Sequence, residues 1–371
     1  MGTADEAGNG AITVERRGRW TFVGPDGRPF PSLGVTHADD TNLRYPHNGT
    51  VWRDRYGGSR RRWLREGLVA DLESWGFTTI GATSEYVSGT GLGVTGRPVD
   101  LGHSAGLDGA DLATGGLPYV LELHVLQIEA WNGHPAYRDP RDPAFAQWCD
   151  HVARTICRPD DALLVGYVLV DGPAWRGHPT GAGFDGPLDE IAEAYYATVA
   201  AAVRRHDPNH LLLGDRFGTR AGAPPEVLDA AARHMDVLSV QTFPGPAPGA
   251  FEAAIEVVEG WHRRTGLPVL IADTGNWCPT TMNPHRTGSA RDQAERAAGY
   301  VRTAEVLAAL DWCLGWHWCS YVENPQRGWG IKDPWDEPYP ELVAAMSAVN
   351  REVVARWADA RPLAAPGGAT R

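Results

Sequence analysis

The sequence predicts a (β/α)8 TIM barrel, an α/β fold of eight parallel strands that alternate with helices, preceded by a short N-terminal β-hairpin. Short apolar runs alternate with longer amphipathic runs along nearly the whole chain, as in a parallel sheet covered by helices. Residues 163–170 are continuously apolar, which is typical of a strand buried on both faces. A chain of 371 residues is long enough to form one such domain.

Eight strand candidates follow one another along the chain. They are residues 30–37, 77–85, 118–124, 162–171, 210–216, 235–241, 267–273 and 314–319. Helices are predicted between them at residues 59–75, 188–205 and 289–310, and after them at 339–357, because apolar residues recur on one face. Residues 86–117 are rich in glycine and show no clear helix, so an abbreviated connection is expected there.

The two ends of the chain extend the barrel without adding a second domain. Residues 12–23, with the turn at 24–27, predict a hairpin that closes the bottom of the barrel. The predicted organisation is a disordered N-terminus at residues 1–11, one barrel domain at 12–357 and a flexible tail at 358–371.

Composition excludes several classes of function. The formal net charge is -12, and almost all positive charge is arginine, with Lys332 as an exception. No basic stripe is present to bind nucleic acid, and no apolar stretch is long enough for a membrane span. The polar N-terminus lacks signal-peptide features, and the five cysteines lack CxxC spacing, so a cytoplasmic protein with reduced thiols is expected. The sequence does not indicate the oligomeric state.

Nearly every predicted strand ends in a polar or ionisable residue. The set is His37, Glu85, His124, Asp171, Asp215 with Arg216, Gln241, Asp273, and His317 with Trp318. Any one of these positions could be charged only because it meets water. Since the carboxyl ends of barrel strands converge on one rim, the whole set predicts an active site there.

Tryptophan is concentrated in the loops that follow the strands. The loop tryptophans are Trp52, Trp131, Trp175, Trp277, Trp329 and Trp335. Some of them could simply fill long loops, but flat indoles also stack well on the apolar faces of sugar rings. This placement favours a ring-containing, polyhydroxylated ligand.

The span from residue 20 to residue 357 resembles the clan of retaining (β/α)8 glycoside hydrolases, and within it the β-agarase-type and related exo-acting enzymes. The resemblance is carried by the order and spacing of seven segments. They are PDGRPFPSLGVTH at 25–37, DLESWGFTTIGATSE at 71–85, LLVGYVLVDGPAW at 163–175, HLLLGDRF at 210–217, DVLSVQTF at 236–243, PVLIADTGN at 268–276 and GWHWCSYVENP at 315–325. A glycosidase fold and a carbohydrate ligand are what this resemblance implies.

The sequence departs from the clan at both catalytic positions. In the clan the fourth strand ends in Asn-Glu, where Glu is the general acid/base, and the seventh ends in a nucleophilic Glu. The corresponding places here are Asp171-Gly172 and Asp273. Cleavage needs an acid and an opposing base or nucleophile, so Asp273 is predicted to pair with a relocated carboxylate. Candidates for the partner are Asp171, Glu85, Asp215 or Glu323, or the loop residues Asp39 and Asp40.

Three interpretations follow from this departure. The first is a glycosidase with a relocated carboxylate pair, for which the catalytic candidates are Asp273, Asp171 and Glu85. The second is a tailoring enzyme that performs elimination, isomerisation or cyclisation of a glycosylated metabolite, in which histidines also move protons. The third is a catalytically silent sugar-binding protein. Surviving Asp residues at both strand ends place the first slightly ahead.

Substrate contacts and cofactors complete the prediction. The substrate-binding candidates are His37, His124, Trp175, Arg216, Gln241, Trp277, His317, Trp318, Tyr321, Glu323 and Asn324. His37 and His317 match clan positions that hydrogen-bond a sugar, and Arg216 resembles the arginine of the clan's fifth strand. The other candidates lie at strand ends or in the loops that follow. The histidines and aspartates include metal-ligand types, but the first strand lacks the His-x-His pair of metal-dependent barrels, so no metal is predicted. No phosphate site is predicted, because no Gly-rich turn leads into a helix after strand seven or eight, and no cofactor is predicted either.

Overall fold

The computed structural model describes residues 10–88, 101–103, 106–125, 139–173, 175, 186–286, 288–325 and 329–358. The strands are β1 (Thr13–Arg16), β2 (Trp20–Val23), β3 (Pro29–Phe30), β4 (Ser32–Thr36), β5 (Thr79–Ile80), β6 (Tyr86–Ser88), β7 (Leu101–His103), β8 (Tyr119–Glu122), β9 (Leu164–Asp171), β10 (Leu211–Gly218), β11 (Leu238–Thr242), β12 (Val269–Thr274) and β13 (Cys313–Cys319).

The helices follow in the same order. They are α1 (Val51–Tyr56), α2 (Arg60–Arg62), α3 (Ala70–Ser74), α4 (Gly109–Ala113), α5 (Pro143–Ile156), α6 (Leu188–His206), α7 (Pro225–His234), α8 (Ala250–Thr265), α9 (Gln293–Ala309) and α10 (Pro340–Ala358). A π-helical stretch, Trp63–Val69, joins α2 to α3. Among these described helices, none combines the length and apolar character needed to cross a bilayer.

Eight parallel strands close into a barrel in the order β4, β5, β8, β9, β10, β11, β12, β13, and β13 pairs back onto β4. The predicted fold and all eight predicted strands are therefore confirmed. The second strand is much shorter than predicted, because only Thr79 and Ile80 are paired. The connection after it contains the five-residue helix α4, in keeping with the expected abbreviation.

Strands β1, β2 and β3 form a three-stranded antiparallel sheet that is not hydrogen-bonded to the barrel strands as part of their sheet. It contains the predicted hairpin, and the turn at 24–27 leads into one further strand. Ile12 and Phe22 of this sheet pack with Val165, Leu213 and Leu314 in the inner core of the barrel. The sheet therefore plugs one end of the barrel and leaves the carboxyl ends of the strands open.

A larger outer core fills the space between the barrel and its helices. Tyr167, Tyr195, Tyr300 and Trp316 are among its fully buried members. Trp357 of α10 also belongs to it, and the guanidinium of Arg19 lies 3.3 Å from the centre of the Trp357 ring. Arg19 also donates hydrogen bonds to the carbonyl oxygens of Ala308, Leu310 and Cys313, which ties the N-terminal sheet to the last two βα units.

In two strands an irregularity coincides with a glycine of positive φ, and in both the following side chains change sides. In β10, Gly214 has φ +74° and the register shifts around it. In β13, Gly315 has φ +137°, and the pairing skips Leu314. Regular strands alternate sides at every residue. The extra residue turns Arg216 and His317 toward the barrel interior, on the same side as Leu213 and Leu314.

Candidate active site

A cavity of about 440 Å³ opens at the carboxyl ends of the barrel strands. Its lining comes from six barrel strands and the loops that follow them. The lining residues are His37, Asp171, Gly218, Thr219, Arg220, Gln241, Phe243, Asp273, Trp277 and Trp329. Of the predicted site residues, the cavity brings together His37, Asp171, Gln241, Asp273 and Trp277.

Asp273 is held at the cavity by three neighbours. The Thr36 hydroxyl donates to Oδ1 at 2.8 Å, and the Gln241 amide donates to Oδ2 at 3.1 Å. The His37 Nε2 atom lies 3.4 Å from the same Oδ2. Two neutral donors and an imidazole orient this carboxylate.

Asp171 lies on the other side of Gln241. Its Oδ1 atom is 3.1 Å from Arg216 Nη2 and 3.4 Å from Gln241 Nε2. Burial raises the pKa of the Asp171 carboxyl, and the nearby Arg216 guanidinium opposes this rise. The Gln241 Nε2 atom thus contacts both Asp171 and Asp273. Asp171 has a guanidinium beside it, whereas Asp273 has a hydroxyl and an imidazole.

Glu122 is a third carboxylate beside the cavity, and sequence reasoning missed it. Its Oε1 atom lies 3.1 Å from Arg216 Nη2, so one guanidinium serves both Glu122 and Asp171. Ser84 donates to its Oε2 atom, and His124 Nε2 lies 3.8 Å from that atom. A signal was present: Glu122 and His124 are two residues apart, so they share one face of an extended chain.

His37 has left-handed backbone with φ 52°, which is uncommon for a residue with a side chain. Its Nδ1 atom lies 2.7 Å from the carbonyl oxygen of Ser84. Because a carbonyl can only accept, Nδ1 carries a hydrogen and Nε2 faces Asp273. Glu85 lies behind this ring, with Oε1 4.0 Å from Nδ1, and accepts a hydrogen bond from Asn42 at 2.7 Å. Glu85 is not among the lining residues of the cavity.

Aromatic side chains form one wall of the cavity. The rings of Trp277 and Trp329 stack at 4.6 Å with 13° between their planes, and Phe243 lies 5.0 Å from Trp329. The guanidinium of Arg286 lies 5.1 Å from the Trp329 ring. Trp175 lies elsewhere, packed against Tyr195 and Tyr196 of α6. Trp131 lies outside the described residues.

His317 is buried beneath the cavity. Trp318, the next residue, is buried on the outer side of the barrel. The His317 Nε2 atom lies 2.9 Å from the Ser32 hydroxyl, and burial lowers the pKa of the imidazole to about 3. His317 is therefore a neutral hydrogen-bonding group at neutral pH. Trp318 packs edge-on against Tyr300 in the outer core.

Glu323 and Asn324, two predicted substrate-binding residues in the loop after β13, hydrogen-bond to residues of other loops. Glu323 accepts hydrogen bonds from Thr280, Asn283 and Tyr339, and Asn324 donates to Asn42 at 3.0 Å. These contacts fasten the loop after β13 to those after β12 and β4. Such a role determines the shape of the cavity mouth.

Tyr321 belongs to a buried polar network that also contains Lys332. The Tyr321 hydroxyl donates to Asp71 at 2.6 Å, and Lys332 Nζ lies 2.7 Å from both Asp71 and Asp336. Tyr56 donates to Asp336 at 2.6 Å. The network joins the first βα unit to the loop after β13.

The remaining candidate acids have other partners. Asp215 accepts hydrogen bonds from Tyr195 and Tyr196 at 2.9 and 2.7 Å, on the helical side of the sheet. Asp39 accepts from the backbone N–H of Thr41, and Asp40 pairs with Arg60 at 3.0 Å and with Arg44. These three residues are not among those lining the cavity.

One group of described side chains has the composition of a metal site. The ligand atoms of His37, Asp273 and Cys319 all lie within 4.8 Å of one another, and all three residues are buried. Sequence reasoning placed His37 and Asp273 at strand ends and treated Cys319 only as a reduced thiol. Cys319 lies on the same side of the strand as His317, two residues earlier, and the bulge at Gly315 turns both toward the barrel interior.

Comparison with known proteins agrees with this architecture. The chain is 27% identical to β-agarase B and 29% identical to β-agarase A of Vibrio sp. (strain JT0107), each over 179 residues. These segments cover 45% and 43% of this chain but only 18% and 17% of the two enzymes. No protein-family model matches the chain.

Solved structures of agarases share the fold. An agarase structure superposes with a TM-score of 0.70 at 18% identity, covering 94% of this chain and 64% of that one. An exo-β-agarase gives a TM-score of 0.70 at 17% identity, covering 93% and 66%. The chain therefore shares the TIM-barrel fold of these agarase structures and is similar in sequence to the two β-agarases over the matched segment.

Proposed function

We propose that this chain is a glycoside hydrolase-like enzyme that cleaves a sugar or a glycosylated small molecule with Asp273 and Asp171 as a relocated carboxylate pair. The observation that carries the proposal is that Gln241 Nε2 lies within hydrogen-bonding distance of both carboxylates at the cavity, 3.1 Å from Asp273 and 3.4 Å from Asp171. Two carboxyl groups facing one cavity are the usual machinery of glycosidic bond cleavage.

The spacing of the pair is compatible with a retaining reaction. The two carboxylate oxygens beside Gln241 can be no further apart than the sum of their distances to its nitrogen. That limit lies at the short end of the roughly 6.5–9.5 Å of inverting enzymes and accommodates the roughly 5–5.5 Å of retaining ones. Asp273 is then the nucleophile and Asp171 the acid/base.

Each step follows from the surroundings of the two groups. Asp273 attacks the anomeric carbon while Asp171 gives its proton to the departing glycosidic oxygen. Water then gives a proton to Asp171 and attacks the same carbon, which releases the sugar and frees Asp273. Burial raises the pKa of Asp171, which suits a proton donor, and the Thr36 hydroxyl orients Asp273 for attack. The aromatic wall of Trp277, Trp329 and Phe243 supports a ring-shaped ligand.

Hydrolysis of a panel of aryl α- and β-glycosides and agarose oligosaccharides tests the proposal. We expect turnover by the wild type and a loss of at least about 10³-fold in kcat for Asp273→Asn and Asp171→Asn, since each removes an essential carboxylate. Asp229→Asn, at an exposed ion pair on α7, is the matched control and keeps wild-type turnover. Glu122→Gln shows whether the third carboxylate is the acid instead.

A non-hydrolytic tailoring reaction is the second candidate, and one observation favours it. Gly172, which stands where the resembling enzymes have their acid, has left-handed backbone and no side chain. Turnover unchanged in both Asp variants would overturn the proposed pair. Sugar binding without turnover of any glycoside would overturn hydrolysis and leave the tailoring enzyme or the silent binding protein.

A further inference from the structure

We propose that His37, Asp273 and Cys319 bind a zinc ion beside the cavity. The three side chains come from the carboxyl ends of the first, seventh and eighth barrel strands, which are adjacent in the closed barrel. Imidazole, carboxylate and thiolate are all common zinc ligands, and softer thiolate disfavours magnesium and calcium.

The distance between the first two ligand atoms already suits zinc. His37 Nε2 lies 3.4 Å from Asp273 Oδ2. Two bonds of about 2.0–2.1 Å that meet at a tetrahedral angle place their ligand atoms roughly 3.4 Å apart. The ligand atoms of all three residues lie within 4.8 Å of one another. With a Zn–S bond of about 2.3 Å, the sulfur must come within roughly 3.6 Å of the other ligand atoms, an approach of up to about 1.3 Å.

The hydrogen bond from His37 Nδ1 to the Ser84 carbonyl leaves Nε2 as the ring atom able to bind a cation. Because Nδ1 carries a hydrogen toward the Ser84 carbonyl, Nε2 of the neutral ring presents a lone pair. The Asp273 Oδ2 atom lies 3.4 Å from Nε2, so a cation bound between the two atoms would contact a nitrogen and an oxygen lone pair. A backbone carbonyl behind the far nitrogen is the arrangement that orients histidines bound to metals.

The charge around the cavity also favours a cation. Asp171, Asp273 and Glu122 lie close together, and Arg216 is the guanidinium that contacts two of them. Three carboxyl groups therefore lie near one guanidinium, so a divalent ion at Asp273 has several oxygen atoms nearby. Its binding displaces the Cys319 thiol proton to solvent.

Three protein ligands leave a fourth position open for water or for a hydroxyl of the ligand. Because zinc occupies the carboxylate that the proposed function uses as a nucleophile, zinc loading is expected to inhibit hydrolysis. This consequence rests on the proposed function. Zinc binding itself does not, so it is measured without substrate.

Metal binding is tested on the untagged, metal-stripped full chain. We expect calorimetry to show one Zn²⁺ per chain, and Co²⁺ to give a thiolate-to-cobalt charge-transfer band in the near ultraviolet. Cys319→Ala should bind Zn²⁺ at least about 10–100-fold more weakly, the loss caused when even a group behind a ligand is removed. Cys149→Ala, at a buried cysteine on α5, is the matched control and keeps wild-type affinity.

Absence of stoichiometric Zn²⁺ binding, equal affinity in the wild type and Cys319→Ala, or a cobalt complex without the thiolate band would each overturn the site. The cobalt spectrum is recorded on the wild type, so it decides the question even if a variant misfolds. Glycoside turnover by the metal-free wild type is measured separately, so failure of the metal site and failure of hydrolysis are distinguishable.

Discussion

At the scale of single residues, Asp215 and Arg216 show how adjacent positions acquire opposite roles. Arg216 lies buried inside the barrel and contacts two carboxylates, whereas Asp215 faces α6 and accepts from two tyrosine hydroxyls. Burial raises the pKa of Asp215 to about 7, although both tyrosines oppose the rise. Asp215 therefore links the stability of the barrel to pH.

The sign of this linkage predicts a pH dependence. The folded state binds the Asp215 proton more tightly than the unfolded state, whose pKa is near 3.8. The contribution of Asp215 to stability is therefore largest below pH 4, falls as pH rises toward 7, and is constant above. The difference is equivalent to roughly 4 kcal/mol.

Asp215→Asn removes this titration. We expect the free energy of unfolding, measured by urea denaturation from pH 4 to 8, to fall with pH more steeply in the wild type than in Asp215→Asn. Asp229→Asn serves as an exposed control whose profile follows the wild type. Parallel profiles for wild type and Asp215→Asn would contradict the expected linkage.

At the scale of elements, the bulge in β13 determines which side chains face the barrel interior. A Cβ atom at Gly315 would lie 2.3 Å from the Ser32 carbonyl oxygen, at a φ of +137° that other residues rarely adopt. A larger residue at position 315 would therefore displace the backbone of β13 or of β4. His317 and Cys319 owe their inward direction to this position.

We expect Gly315→Ala to lower the free energy of unfolding by about 2–4 kcal/mol, because it adds both backbone strain and a steric clash. Gly260→Ala is the matched control, since a Cβ atom there meets nothing within 4 Å and the residue lies inside α8. That change should stabilise the protein by about 0.5–1 kcal/mol. Equal effects of the two substitutions in urea denaturation would refute the role of the bulge.

The same bulges explain how far the sequence predicts the structure. Apolar runs located all eight strands, because burial on both faces leaves a strong signal. The strand ends also located His37, Asp171, Gln241 and Asp273, which meet at one cavity. Side-chain direction was less predictable: one extra residue at Gly214 or Gly315 reverses every later position. Asp215 therefore faces a helix, and the sequence offered no sign of Cys319 beside Asp273.

At the scale of the whole molecule, the N-terminal sheet and the active site occupy opposite ends of the barrel. Phe22 and Ile12 complete the inner core, and Arg19 connects the sheet to α9, β13 and α10. The sheet is therefore part of the barrel's cooperative unit. Loops at the other end can differ between proteins without disturbing this closure.

Phe22→Ala tests this cooperativity. We expect a loss of about 3–5 kcal/mol in the free energy of unfolding, in a single transition that fluorescence and far-UV circular dichroism report together. Val257→Ala, at a side chain that is 41% exposed, should change it by less than about 0.5 kcal/mol. An early separate transition of the variant would show that the sheet is an independent appendage.

Lys332 is the only lysine in the chain, and it is buried between Asp71 and Asp336. Acylating reagents need an accessible amine, and Lys332 is only 4% exposed while the network is closed. The rate at which this one side chain is acylated therefore measures how often the contact between the first βα unit and the last loop opens. Because no other side chain carries an amine, the acylation rate reports the opening of this one contact and of no other part of the protein.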